Sequence, residues 1–208
     1  IATDSIEIYR ELEALVPLYE GFLTYGGMSV REIEAMAVGL YETLDDSIIR
    51  QSPSFIKYLV DELDKKGIPV IKPAGVLGVH LDAMQICSHI PQSQYPAGSL
   101  AAALFLVSGV RGMERGSMSN QRDEYGNETF ADMELVRLAV PRRVFTLSQI
   151  KYVEDRVTWL YENRELIGGL KFNYEPPVLR FFMGKLEPVS DWPQKLLAKF
   201  KEDFGDSL

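Results

Sequence analysis

The sequence predicts a mixed α/β chain whose second part takes an α+β order, and three observations lead there. Apolar residues recur at helical spacing up to Gly67, short β-rich runs alternate with helical ones after it, and 46% hydrophobic content over 208 residues can fill a substantial core.

Ile6, Tyr9, Leu12 and Leu15 fall on one face of a helix that starts after an Asp4 or Ser5 cap. Gly21, Gly26 and Gly27 in EGFLTYGGMSV mark a loop, and Ser29 caps the next helix. The run VREIEAMAVGLYETLDDSIIRQSPSFIKYLVDELDKKG reads as helix nearly throughout, kinked at Pro53 and stopped by Gly67; a helix of this length often bridges two domains. IPVIKP and VLGVHLDAM read as β-runs, followed by a helix over Pro96–Ser108. VRGMERG and ELVRLAVP are predicted strands, QIKYVEDRVTWLYENREL a helix, LKFNY a strand and WPQKLLAKFKEDF a last helix. There is no internal repeat and no low-complexity segment.

Charge narrows the function classes. With 22 Lys+Arg against 30 Asp+Glu, the formal charge of -8 repels nucleic acid and anionic membranes. The most apolar stretch, Leu100 to Val107, is far shorter than the roughly 20 residues that span a bilayer. A single cysteine, Cys87, precludes an intrachain disulfide and fits a reducing compartment, so the expected location is cytoplasmic. Ile1 in place of methionine suggests a cut or processed start, and the opening IATDSIEIYRELEAL has no signal-peptide order.

No general catalytic motif names a reaction. His80 and His89, nine residues apart with one distant cysteine, match no tight metal spacing and read as structural, so no metal site is assigned. The S-x-x-K strings Ser54–Lys57 and Ser148–Lys151 sit in amphipathic helices and read as solvated surface, as do Glu32, Glu34, Asp45 and Asp46. Arg111, Arg115, Arg137, Arg142 and Arg143 fall on or beside predicted strands, where a guanidinium suits a carboxylate in a two-pronged fork or, more plainly, a surface ion pair. Phe181 and Phe182 in LRFFMGK read by default as core aromatics.

Four strings add a family signal: YEGFLTYGGMSVREIEAMAVGLYE, HIPQSQYPAGSLAAALFLVSGVRGMERG, MELVRLAVPRRVFT and GLKFNYEPPVLRFFMGKL. In this order, from about Tyr19 to Leu186, they resemble the C-terminal portion of the tryptophanase and tyrosine phenol-lyase family of β-eliminating lyases. The resemblance implies the aspartate aminotransferase-like fold (fold type I) of enzymes dependent on pyridoxal 5'-phosphate (PLP). Residues 1–45 would finish the large PLP-binding domain and the interdomain helix, 46–190 would form the small C-terminal domain, and 191–208 a helical extension.

Further implications attach to single residues. Arg137 matches the family arginine that binds the substrate α-carboxylate. Arg115 in GMERG and Phe181 in LRFFMGK match tyrosine phenol-lyase positions, where tryptophanases carry an apolar residue and commonly a histidine, so the motif residues lean toward tyrosine phenol-lyase and a phenol. Met113, Phe181 and Phe182 would wall the substrate, and Phe22 and Tyr25 would reach the neighbouring subunit's active site within a dimer-of-dimers assembly. The implied reaction cleaves L-tyrosine to phenol, pyruvate and ammonia. The family's Schiff-base lysine, its phosphate-binding loop and most of its potassium ligands precede Ile1, so no catalytic residue and no cation site is assigned to this chain. An N-terminal half or subunit carrying the lysine is the expected partner. Two departures stand out: AGVLGVHLDA replaces the family's GGH string with Val76 and Leu77, and places His80 where an apolar residue is usual.

Overall fold

The computed structural model describes residues 3–19 and 29–205. Phe22 and Tyr25 lie outside the described residues. Helix α1 (Ile6–Glu13) starts after Ser5, whose side chain accepts from the Ile8 amide, and α2 (Val16–Tyr19) comes next. Helix α3 (Val30–Glu42) opens on a reciprocal cap in which Glu32 N–H donates to Ser29 Oγ at 3.3 Å and Ser29 N–H to Glu32 Oε2 at 2.6 Å.

The expected long helix is broken elsewhere than at the proline. After Thr43, whose hydroxyl donates to the Leu40 carbonyl, Asp45 caps the short α4 (Asp46–Ile49) by accepting from Ser47 N–H at 2.8 Å. Helix α5 (Gln51–Lys65) then begins, with Pro53 in its first turn. At that position the missing N–H would have had no partner within the helix, so the proline helps open α5 rather than kinking it. Gly67, at φ 71°, closes α5 as the sequence predicts.

The remainder contains β1 (Gly78–Asp82), α6 (Ala83–Ile86), α7 (Pro96–Ser108), β2 (Met113–Arg115), β3 (Leu135–Ala139) and α8 (Leu147–Glu162), then β4 (Leu170–Tyr174), α9 (Arg180–Met183), β5 (Lys185–Pro188) and α10 (Trp192–Phe204). IPVIKP contributes only a bridge, Val70 to Leu81. β1, β3 and β2 form an antiparallel sheet in that order, and β4 pairs antiparallel with β5.

Alternation along the strands gives the three-stranded sheet two unlike faces. Val79, Leu81, Val136 and Leu138 point into the core, where α7 supplies Ala97, Leu100, Ala103, Leu104 and Val107. Helix α7 is apolar on most sides and packs against the sheet, α8 and α10, while Phe105 stays exposed. Ile56, Leu59 and Leu63 of α5 and Leu196 and Phe200 of α10 complete the same core. The other face carries His80, Arg137 and Met113 in one cross-strand row.

Candidate functional site

That row is fixed by register. His80 on β1 stands opposite Arg137 on central β3, which stands opposite Met113 on β2; one step along, Asp82, Leu135 and Arg115 form the next row on the same face. The alternation that buries Val136 and Leu138 therefore forces Arg137 outward.

Arg137 is half-buried and under-used. Its Nη2 lies 3.1 Å from Met113 Sδ, a weak acceptor, while its Nε is buried without a hydrogen-bond partner. A buried donor left unpaired costs about 1–3 kcal/mol, so this guanidinium is set to receive an acceptor stronger than a thioether. Nε and one Nη form one side of the planar fork, the geometry that a carboxylate fills with two parallel hydrogen bonds.

His80 adds to this preference. Burial lowers its pKa, and the positive charges of Arg137 and Arg115 lower it further, so the imidazole is neutral near pH 7. The two adjacent rows thus put two guanidiniums and a neutral imidazole on one sheet face, a combination that favours an anionic oxygen pair beside an uncharged polar group. His89, by contrast, is a structural histidine: its Nε2 meets the Ile167 carbonyl at 2.8 Å.

Phe181 and Phe182 ride on α9, which packs against the 3-10 turn Ser117–Ser119 just beyond β2. Their rings meet edge to face at 5.1 Å between centroids, and Phe181 is half-buried. Beneath them Arg180, only 1% exposed, donates to the carbonyls of Ser117 (2.8 Å) and Asn120 and pairs with Glu128 and Glu175. Arg115 and Arg137 thus share a sheet face with Met113, and the phenylalanines are tied to the turn that leaves it.

Of the other arginines singled out in the sequence, Arg143 pairs with Glu42 at 2.9 Å, and exposed Arg111 lines a separate apolar hollow beside Phe145 and Tyr152. A cavity of about 640 Å³ lies at Arg122, Glu175 and Leu179. Arg122 already spends its guanidinium there on Glu175, at 2.8 and 2.9 Å, so the cavity offers no unpaired cation from that residue. Among the described residues there is no group of three or more His, Cys, Asp or Glu able to hold a metal, and no helix long and apolar enough to cross a membrane. Sequence reasoning set His80 aside as structural; its departure from the family pattern was the available signal, but only the β1–β3 register shows that it stands beside Arg137.

No family model matches the chain. Curated relatives do. A tyrosine phenol-lyase of Intrasporangium calvum is 44% identical over 183 residues, 88% of this chain and 39% of the relative. One from Symbiobacterium is 44% identical over 184 residues, 88% of this chain and 40% of that relative. A probable tryptophanase of Aeropyrum pernix is 39% identical over 192 residues, 91% of this chain and 41% of its own length. The chain therefore spans about two fifths of the length of the curated relatives it matches. By a match that covers most of its residues, the chain is a homologue of the tyrosine phenol-lyase and tryptophanase family of lyases.

Proposed function

We propose that this chain supplies the substrate-gripping portion of a PLP-dependent aromatic amino-acid β-lyase that cleaves L-tyrosine to phenol, pyruvate and ammonia. The observation that carries the reading is the buried, unpartnered Nε of Arg137, set in a row with His80 and Met113. Arg137 would hold the substrate α-carboxylate in its fork. Arg115, on the same face, would stabilise charge on the phenolic oxygen, with Met113, Phe181 and Phe182 as apolar walls.

The residues present fit the substrate end of such a site rather than its cofactor end. Lys57, Lys72, Lys171 and Lys199 are engaged in ion pairs on the surface. Lys66, the better-buried candidate, has its Nζ committed to Glu154 at 2.8 Å and to Thr158 at 3.0 Å. PLP, when bound, supplies the electron sink for bond cleavage. Here its lysine and phosphate loop would come from an N-terminal half or subunit, with residues 1–45 finishing the large domain of a type I fold, 46–190 forming the small domain and 191–208 a helical extension. A dimer of dimers would place Phe22 and Tyr25 at a neighbouring active site. Potassium, if required, would be ligated outside this chain.

Reconstitution with a lysine-bearing N-terminal portion and PLP tests the reading, and tyrosine should then yield phenol and pyruvate. Arg137→Ala should raise KM about 10- to 100-fold, the loss of one charge-assisted interaction. A pair that binds PLP but releases neither product from tyrosine would remove the substrate assignment. His80 beside Arg137 favours a second reading, β-elimination from tryptophan or cysteine, which a substrate panel scored by pyruvate separates.

A further inference from the structure

The buried side of the same strands holds two carboxyl groups with an unusual relation. Glu114 lies on β2 between Met113 and Arg115, and Glu134 directly precedes β3; they are 4% and 0% exposed. Glu114 Oε1 and Glu134 Oε2 are both buried without any hydrogen-bond partner. They also converge. A Cβ placed on Gly116 would overlap Glu134 Oε2 and lie 2.9 Å from Glu114 Oε1, so both unpartnered oxygens crowd the space that the glycine leaves open.

Two carboxylates whose buried oxygens converge repel, and those two oxygens lack the donors that a buried charge needs. One proton removes both defects, because an O–H···O⁻ bond satisfies both oxygens and cancels one charge. The remaining oxygens already accept hydrogen bonds. Glu134 Oε1 accepts from Ser117 N–H at 2.9 Å and from Gln92 Nε2 at 3.1 Å, two donors suited to a carboxylate. Glu114 Oε2 accepts from Ser119 Oγ at 2.6 Å.

We propose that Glu114 and Glu134 share one proton, with Glu114 Oε1–H donating to Glu134 Oε2, and that this pair is a positioning device pinning β2 to the start of β3 beneath Arg115 and Arg137. Burial, reinforced by the charge of Glu134, pushes the Glu114 carboxyl up to about 7 against Ser119 and the Gly116 and Met118 amides. The other nearby charges do not compensate the pair. Arg180 reaches the Ser117 carbonyl from α9 but is committed to Glu128 and Glu175, and Arg115 and Asp82 belong to the opposite sheet face. Losing the proton would leave two buried charges in repulsion directly under the arginine rows. Only the role given to those arginines rests on the function proposed above; the shared proton does not.

The test uses the full chain with ¹³C-labelled glutamate carboxyls. One carboxyl should titrate near 7, far from the ordinary 4.5, and vanish from the spectrum in Glu114→Gln. Glu134→Gln should lower that midpoint by removing the neighbouring charge. If every glutamate is already ionised at about pH 6, the shared proton is wrong, whether or not either variant folds. Because the folded pKa is raised, the contribution to stability is full below 4.5 and is lost as pH rises through about 7, a fall in Tm that Glu114→Gln should flatten while keeping a donor toward Glu134. With 3-(4-hydroxyphenyl)propionate as probe, the apparent Kd should weaken several-fold on the alkaline side in the wild type and not in Glu114→Gln. Binding without that alkaline limb overturns the positioning role, and a titrating carboxyl with no probe binding counts against the arginine reading alone.

Discussion

Residues 51–204 and the described residues before Gln51 are built from equally regular helices, yet only the first region buries what its helices present. Helices α5, α7, α8 and α10 each place apolar side chains in one core, whereas α1 to α4 contain no buried residue. Val30, Ile33, Met36, Val38, Leu40, Tyr41 and Leu44 are all exposed, Leu44 at 82%. The caps on α1, α3 and α4 satisfy backbone groups and fix helix starts, but such local terms are small beside apolar burial. The difference teaches that secondary structure before Gln51 is specified locally, while its tertiary packing calls for an apolar partner surface beyond those helices.

Substitutions sharpen this contrast most strongly. Leu104→Ala, at 0% exposure, should cost about 2–5 kcal/mol in denaturant unfolding, while Leu40→Ala should stay within about 0.5 kcal/mol. Comparable losses at both positions would break the comparison. Acid should also act on the cored region. Burial favours protonation of Glu154, Glu128 and Glu175, but Lys66 and Tyr58 outweigh it at the first and Arg180 and Arg122 at the others, so all three sit below 4.5. Their contribution is present above 4.5 and lost as pH falls through the lower folded values, so the unfolding midpoint of residues 51–204 should drop there. Tyrosine and tryptophan fluorescence during an acid titration reads it.

Two smaller effects probe the uncored region. Ser29→Ala removes the α3 cap and should cost about 1 kcal/mol of helix stability, seen as lost helical circular dichroism with the core unfolding midpoint unchanged. Arg143→Ala removes the ion pair to Glu42, which joins α3 to the segment before α8; both side chains are about half exposed, so the change should stay below about 1 kcal/mol.

Legibility in the sequence obeys the same division between local and distant causes. Helix α7 was readable end to end because Pro96 stands in its first turn and Gly109 beyond its last, at φ 68°. The break at Thr43–Asp45 was misplaced because proline is the louder breaker, while the actual cause is a pair of short polar side chains bonding to nearby backbone. Strand β5 escaped notice because KLEP lacks clear alternation and exists by pairing with β4. Within the candidate site, Arg137, Arg115 and Met113 were singled out through family strings, and the register puts them on one sheet face. The placement of His80, like the meeting of Glu114 and Glu134, depends on residues far apart in the chain, which no local pattern records.

The buried Arg180 has a mechanical consequence. It is tied at once to Ser117, Asn120, Glu128 and Glu175, so α9, the turn after β2 and the segment holding Glu128 are knotted at one point. Such a knot transmits displacement instead of absorbing it. Phe181 and Phe182 follow Arg180 directly on α9, so whatever shifts that short helix pulls on the turn after β2 and on the end of the strand that bears Arg115.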